Sequence, residues 1–215
     1  VAALHGPSGC GKSTLLRACF GLQHRDERVS GDVRFGGDDL RARSATERRR
    51  TLRNDVAFLM QDAQAALDPL WRIGPQIARA TGKDRAAIVA MLERLDVAAP
   101  GELCDRFPHE VSGGQAQCAL LAIAFLRSPA LIVADEPSAS LDRDSHDRHT
   151  AHLRELAANG SAVLVATHDH RLLRDLRAEV LSLQAGAFVP GLPLSPAWPR
   201  RRAGVDVGKT PVLAV

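Results

Sequence analysis

The sequence is poor in several residue types, and each shortage excludes a class of protein. Tyrosine is absent and aromatic residues occupy only 4% of the 215 positions, so a surface that stacks nucleic-acid bases on aromatic rings is not expected. The four cysteines form no Cys-x-x-Cys pair, which is typical of a reducing compartment. The longest apolar run, 118–126, has nine residues, whereas a membrane-spanning helix needs about 20. We therefore do not expect this chain to cross a bilayer.

Arginine dominates the basic residues, since only three of the 28 are lysines. The formal net charge of +3 is small and gives no sign of the clustered basic face that nucleic acid requires. Hydrophobic residues make up 45% and charged residues 25%, which is typical of a folded globular domain. The chain opens inside an apolar run without an initiator methionine, so we expect its natural beginning to be missing. No signal-peptide pattern is visible.

Apolar runs typical of strands alternate with segments of helical spacing. Strands are predicted at 1–5, 30–35, 56–60, 131–134, 162–166, and in a closing hairpin of 180–183 and 187–189. Helices are predicted at 12–21, 44–53, 73–80, 84–95 and 143–159. This alternation predicts an α/β fold with a mostly parallel, doubly wound sheet. The predicted organisation is an α/β core from 1–60 and 126–190, a helical subdomain at 61–125, and a tail at 191–215.

A glycine-rich turn lies between the first predicted strand and the first predicted helix. Its sequence is Gly6-Pro7-Ser8-Gly9-Cys10-Gly11-Lys12-Ser13-Thr14, which matches Gly-x-x-x-x-Gly-Lys-[Ser/Thr]. In such a loop the glycines let backbone N–H groups curl around phosphates, the lysine reaches the β- and γ-phosphates, and the hydroxyl of the following residue ligates Mg²⁺. A chance glycine turn is the alternative, and the strand–turn–helix context disfavours it. All nine residues are therefore predicted to bind a nucleotide, and Ser13 also to bind the metal.

Two carboxylates follow the apolar run 131–134. Asp135, at the tip of the predicted strand, is placed to hold the Mg²⁺ shell, and Glu136 to polarise a water for in-line attack on a γ-phosphate. By itself, a strand that ends in Asp-Glu is more often an ordinary solvated loop. The phosphate loop upstream favours the functional interpretation.

A second anion-ready helix start is found at Val111-Ser112-Gly113-Gly114-Gln115. The three motifs, in this order, resemble the ATP-binding cassette family, whose signature helix reads Leu-Ser-Gly-Gly-Gln; here Val111 replaces the leucine. The resemblance covers about residues 1–190. It implies a P-loop NTPase (RecA-like) fold with an inserted helical subdomain, and ATP and Mg²⁺ as cofactors.

Three further segments match this family in its own order. Gln61 resembles the Gln-loop glutamine that contacts Mg²⁺ and the attacking water, Ser140-Leu141-Asp142 resembles the D-loop, and His168 resembles the switch histidine that faces the γ-phosphate. The resemblance therefore implies catalytic roles for Gln61, Glu136 and His168. It also implies a head-to-tail dimer with a second ATP-binding subunit, in which residues 112–115 and Asp142 serve nucleotide at the shared interface.

A finer resemblance, to the peptide and nickel import subfamily, is carried by residues 60–69, 73–77 and 107–110. It implies an ATPase at the cytoplasmic face of the membrane that drives import of peptides, nickel or a related solute. Its partners would be transmembrane permease subunits and, indirectly, a solute-binding protein; no nucleic acid is expected. The family places a permease-docking surface after the Gln loop. Here that surface is expected at 65–77, with apolar contact from Leu67, Leu70, Trp71 and Ile73.

Several alternatives stay open at this point. The same segments also resemble relatives in phosphonate utilisation, which favours a soluble cassette ATPase in a metabolic complex as the second function. A non-hydrolysing binding module is disfavoured because Lys12, Glu136 and His168 are all present. Trp71 has the alternative of packing inward as core. Ala116 and Cys118 depart from the family, which usually has arginines there, and this departure is expected to weaken the dimer or its coupling to transport.

The histidines are assigned structural roles. Three of them recur at three-residue spacing on one predicted helix, at His146, His149 and His152. We interpret them as part of a solvated helix face, since this spacing spreads the first and last rings apart and disfavours a metal site. His5 is expected to pack beside the phosphate loop, and His109 to shape the Pro-His-Glu turn.

Overall fold

The computed structural model describes residues 1–22, 26–139 and 142–189. Its strands are β1 (Ala2–His5), β2 (Arg34–Phe35), β3 (Asp38–Asp39), β4 (Val56–Leu59), β5 (Leu131–Asp135), β6 (Ala162–Thr167), β7 (Glu179–Gln184) and β8 (Ala187–Val189). Its α-helices are α1 (Lys12–Phe20), α2 (Ala45–Asp55), α3 (Ile73–Thr81), α4 (Arg85–Arg94), α5 (Pro100–Asp105), α6 (Gly113–Arg127), α7 (Arg143–Ala158) and α8 (His170–Asp175), and a 3₁₀ turn spans Pro108–Glu110. The predicted tail at 191–215 lies outside the described residues.

Six strands form one sheet in the order β4-β5-β6-β1-β7-β8. The first five are mutually parallel, and β8 closes the edge as an antiparallel hairpin with β7. The prediction of an α/β fold with a mostly parallel sheet is confirmed. Because the carboxyl ends of parallel strands meet at one edge, the segments after β1, β4, β5 and β6 are brought to the same side of the molecule.

Both faces of the sheet are buried, as expected for parallel strands covered by helices. Along β5, Ile132 and Ala134 join the larger hydrophobic cluster, while Val133 between them joins the smaller one beneath α1. This split follows from the alternation of side chains across a strand. The continuous apolar run of β5 is therefore explained by two cores, one on each face.

Residues 73–127 contain helices only, which pack around their own apolar side chains. Ile77 of α3 and Leu92 of α4 are fully buried in the larger cluster, together with Ile132 of the sheet. Helix α4 begins at Asp84, whose carboxylate accepts a hydrogen bond from the Ala87 N–H at 2.9 Å. The helical segment and the sheet thus share one continuous core. Within the described part of the chain, no helix is both long and apolar enough to span a bilayer.

The interpretation of the α7 histidines as a solvated face is wrong. His146 and His149 are buried, and they lie on the same stripe of α7 as the buried Leu153 and Leu156. A helix buries residues three and four positions apart on one side, and α7 packs against α6 and β6. His152 is half-buried, with its ring edge-on to another aromatic ring.

Candidate functional site

The phosphate loop is fixed against the β7–β8 hairpin. A Cβ on Gly6 would stand 2.2 Å from the carbonyl oxygen of Leu183, so no larger residue fits there. The N–H of Gly186, in the hairpin turn, donates to the Cys10 carbonyl at 3.1 Å. Gly11 has φ +103°, a conformation that favours glycine. The Cys10 side chain is buried, so this residue presents its backbone, and not its thiol, at the surface of the loop.

Lys12 begins α1 and turns its ammonium group back toward the loop. Its Nζ donates to the carbonyls of Gly6 at 2.8 Å and Pro7 at 3.2 Å, and lies 3.2 Å from Oε1 of Glu136. The side chain is only 5% exposed. A buried cation is thereby held at the mouth of a loop rich in backbone N–H groups, an arrangement suited to polyphosphate.

Asp135 ends β5 next to the start of α1. Burial raises the pKa of the Asp135 carboxyl, and the nearby Glu136 charge raises it further, against the lowering effects of a Ser13 hydrogen bond and the Lys12 charge. Its Oδ1 is buried and has no hydrogen-bond partner among the described residues. A free carboxylate oxygen beside a hydroxyl is a donor set that suits a hard cation such as Mg²⁺, so Ser13 and Asp135 fit the predicted metal site.

Glu136 sits directly beyond the strand in a strained backbone conformation. Its φ is +46°, which is costly for a residue with a side chain and is typical of functional sites. Its N–H donates to the Ala166 carbonyl at 2.8 Å. The Thr167 hydroxyl donates to Oε2 at 3.0 Å, and Nδ1 of His168 lies 3.0 Å from Oε1.

These contacts decide the charge of Glu136. Burial by itself raises the pKa of this carboxyl, but hydrogen bonds from His168, Thr167 and Lys12 outweigh it, and the pKa lies below the ordinary value. Glu136 is therefore a carboxylate at neutral pH. Its side chain is largely buried, whereas that of His168 is 55% exposed, so the pair reaches from the interior to the surface.

A cleft of about 380 Å³ opens over this pair. Glu136, Ser138 and His168 line it together with Asp169 and His170. The ring of His170 also lies 4.5 Å from the ring of His5. Burial, followed by the His170 charge, lowers the pKa of His5. His5 thus packs beside the site, where the sequence predicted it.

The remaining predicted residues lie at the surface and outside this cluster of contacts. Gln61 is exposed just beyond β4. Ser112 caps α6: its Oγ accepts from the Gln115 N–H at 3.2 Å, and the Gln115 side chain accepts from the Ser112 N–H at 3.0 Å. Asp142 caps α7 by accepting from the Ser145 N–H at 2.9 Å. Ser140 and Leu141 of the predicted D-loop lie outside the described residues.

Sequence reasoning missed four polar residues that the structure joins to the site. Thr167 bonds Glu136, and Asp169 bonds both Ser138 and His146. Thr167 and Asp169 flank the predicted switch histidine, so their position was a usable signal. His146 carried no such signal, because its burial depends on the way α7 meets the sheet.

A glycine-rich phosphate loop between a strand and a helix, with carboxylates at the tip of another parallel strand of the same sheet, defines a P-loop NTPase. The family model described as "ABC transporter" matches residues 1–139. The chain belongs to the ABC transporter family, and the resemblance inferred from its motifs is confirmed.

Curated relatives carry names from peptide transport. The chain is 31% identical over 97% of its length to the oligopeptide transport ATP-binding protein OppD of Mycobacterium tuberculosis, and covers 36% of that protein. It is 32% identical over 88% of its length to the dipeptide transport ATP-binding protein DppD of Escherichia coli, covering 61%. A putative peptide import ATP-binding protein of Brucella abortus is 35% identical over 94% of the chain, which covers 64% of it. The chain thus spans about one to two thirds of the length of these relatives.

Solved structures show the same fold. The dimeric structure of MJ0796, described as a bacterial ABC transporter cassette, matches with a TM-score of 0.72 at 24% identity, over 86% of this chain and 81% of the other. A dimeric post-hydrolysis state of the MJ0796 cassette, bound to ADP and Pi, matches with the same TM-score at 25% identity. The predicted P-loop NTPase fold is confirmed.

Proposed function

We propose that this protein is the ATP-hydrolysing subunit of an ABC importer for peptides, nickel or a related small solute. The observation that carries the proposal is Glu136, an ionised carboxylate held between Lys12 and His168 at the tip of β5. The names of the curated relatives support peptide import. They favour a transport role over a soluble ATPase of phosphonate metabolism.

The site residues divide the work of hydrolysis. Backbone N–H groups of the phosphate loop and the Lys12 ammonium bind the ATP phosphates. Ser13 and Asp135, with Gln61, would hold Mg²⁺, which when bound neutralises phosphate charge. Glu136 accepts a proton from the attacking water, and its ionised state fits that task. His168 orients Glu136 from the exposed side and faces the γ-phosphate.

The second half of each ATP site comes from a second ATP-binding subunit in this proposal. Ser112, Gly113 and Gly114 are exposed at the start of α6, where free N–H groups and the helix dipole favour an anion. Gln115 holds this helix start in shape through the capping box. The dimeric MJ0796 cassettes support such an arrangement, with Asp142 at the same interface.

Permease docking is proposed for a narrower surface than the sequence predicted. Leu70 is 83% and Trp71 45% exposed, whereas Leu67 and Ile73 are buried in the core. The expectation of surface contact from Leu67 and Ile73 is therefore wrong, because both face the helical core. Leu70 and Trp71 would receive the transmembrane permease subunits at the cytoplasmic face of the membrane; a solute-binding protein acts only indirectly, and nucleic acid has no role.

The substitution Glu136→Gln tests the proposal in the full chain. Without a carboxylate to accept the proton, ATP turnover should fall by about 10²–10⁴-fold while ATP binding is kept. Glu155→Gln is the matched control: this half-buried glutamate of α7 pairs with Arg94, outside the site, so the variant should turn over ATP normally. Turnover of the Glu136→Gln variant within about threefold of the wild type would refute the assignment. Peptide uptake by vesicles that hold the assembled importer then tests the transport role.

A further inference from the structure

One carboxylate next to the predicted switch histidine joins three separate segments. Oδ1 of Asp169 accepts hydrogen bonds from the backbone N–H groups of Arg171 at 2.8 Å and Leu172 at 3.2 Å, which caps α8. Oδ2 accepts from the Ser138 hydroxyl at 3.1 Å and lies 2.8 Å from Nε2 of His146. Asp169 thereby ties the loop after β5, helix α7 and helix α8 together.

The backbone of Asp169 is in turn linked to Glu136. Its N–H donates to Oγ1 of Thr167 at 3.0 Å, and the same hydroxyl donates to Oε2 of Glu136 at 3.0 Å. His168 lies between Thr167 and Asp169 and contacts the other Glu136 oxygen. A shift of Asp169 would therefore move Thr167 and His168, two of the three groups that hold the Glu136 carboxylate, the third being Lys12.

His146 is rigidly placed to fix Asp169. Its ring is buried. Its backbone N–H donates to the Asp142 carbonyl at 2.8 Å in the first turn of α7, and its backbone carbonyl accepts from the Thr150 hydroxyl at 2.8 Å. Its other ring nitrogen, Nδ1, lies 3.5 Å from a carboxylate oxygen of Asp147.

The direction of the His146–Asp169 hydrogen bond follows from the charge of Asp169. Burial raises the pKa of this carboxyl, but hydrogen bonds from His146, Leu172, Arg171 and Ser138 outweigh burial and lower it. An ionised carboxylate only accepts hydrogen bonds. Nε2 of His146 is therefore the donor.

We propose that His146 is a positioning residue of the hydrolysis site: through Asp169 it holds the segment Thr167–His168 against Glu136 and ties that segment to the start of α7 at Asp142. This inference rests on the proposed roles of Glu136 and His168. Loss of the Nε2–H donor leaves Asp169 with a single side-chain donor, Ser138. The segment Thr167–His168 then shifts, and misplacement of a catalytic group by about 1 Å can lower the rate by up to about 10²-fold.

The experiment compares His146→Leu with His146→Gln in the full chain by steady-state ATP hydrolysis. His146→Leu should lower kcat by about tenfold or more, with KM for ATP within about twofold of the wild type, because the phosphate loop is untouched. The amide N–H of His146→Gln stands where Nε2 stood, so kcat should return to within about threefold. His149→Leu is the matched control: this histidine is also buried on α7, and its Nε2 has no hydrogen-bond partner within the described ranges. Its kcat should not change.

Each other outcome overturns the inference or the proposed function separately. If His146→Leu keeps a wild-type kcat while Glu136→Gln is inactive, His146 has no positioning role and the proposed function stands. If Glu136→Gln remains active, the proposed function itself fails. If His146→Leu does not fold, His146→Asn replaces it, because its shorter amide cannot reach Asp169. Equal kcat values for the Asn and Gln variants would then refute the positioning role, as would a loss that appears in KM alone.

Discussion

The catalytic edge of the sheet and the helical segment 73–127 differ in where their functional side chains lie. At the sheet edge, Lys12, Glu136 and Thr167 are buried and are bonded to one another or to the loop backbone. In and beside the helical segment, apolar residues fill the interior, while Ser112 and Trp71 stand at the surface. A buried polar group must find its partner within the chain, and these three side chains do so. In the second region, Ser112 and Trp71 are the groups proposed to contact other subunits.

One hydrogen bond connects the segment that follows β4 with the start of α6. The Gln64 side chain, three residues beyond Gln61, donates to the carbonyl of Val111, directly before Ser112. The segment that follows β4 and the start of α6 are therefore fixed to one another. A movement of the segment around Gln61 would therefore displace the start of α6, which is proposed to contact the partner subunit.

The largest effect is expected from a substitution that disrupts the proposed dimer contact of α6 and leaves the residues at the sheet edge unchanged. Ser112→Arg places a bulky cation where the partner's nucleotide is proposed to dock. In a Glu136→Gln background, ATP-driven dimerisation measured by light scattering should be lost, while ATP binding to the monomer survives.

Ser44→Arg provides the control for lost capping. Ser44 and Glu47 form the same kind of capping box at α2, so either arginine variant loses about 1 kcal/mol of capping energy. Only Ser112→Arg should abolish the dimer. An undiminished dimer in that variant would show that α6 does not contribute to the partner's site.

The next effect tests whether the two regions fold as one unit. Ile77 of the helical segment and Ile132 of the sheet are both fully buried in one cluster. Ile77→Ala and Ile132→Ala should each lower the free energy of unfolding by about 2–5 kcal/mol. Because the core is shared, both variants should shift a single thermal transition. Two transitions, of which Ile77→Ala shifted only one, would separate the regions.

The same contrast shows which features sequence could predict. Lys12, Asp135 and Glu136 could be placed together because motif spacing locates them at strand ends, and parallel strands bring those ends to one edge. The position of β1 between β6 and β7 depends on long-range pairing that no local pattern encodes. Leu67 and Trp71 lie in one short loop, and only tertiary packing decides that the former is buried and the latter is exposed.

A smaller effect concerns pH and the buried stripe of α7. Burial, assisted by the charges of His152 and His146, lowers the pKa of His149 to about 4. Its unfolded-state value is about 6.5, so between these values the unfolded chain binds the extra proton and stability falls as the pH drops. From pH 7.5 to 5, the wild type should lose up to about 2 kcal/mol more than His149→Leu in chemical denaturation. Equal losses in the two proteins would contradict a neutral, buried His149.

The smallest change in stability is expected for a substitution of Trp71. Its effect distinguishes most directly between a surface position and a core position for this residue. Trp71 is 45% exposed, and the Arg79 guanidinium lies 5.5 Å from the centre of its ring. Trp71→Ala should therefore leave the melting temperature of the isolated chain nearly unchanged, because truncation of a side chain at the surface leaves no enclosed cavity. Leu67→Ala, from the buried side of the same loop, should instead cost about 2–5 kcal/mol.

In the assembled importer the order of these two variants should reverse. An exposed aromatic at a docking surface is the kind of residue that dominates interface energies, so Trp71→Ala should uncouple ATP hydrolysis from solute uptake in vesicles. Leu67→Ala, once folded, should remain coupled, since its side chain does not reach the surface. A large drop in melting temperature for Trp71→Ala would move Trp71 into the core. Normal coupling at an unchanged melting temperature would place the permease contact elsewhere on the helical segment.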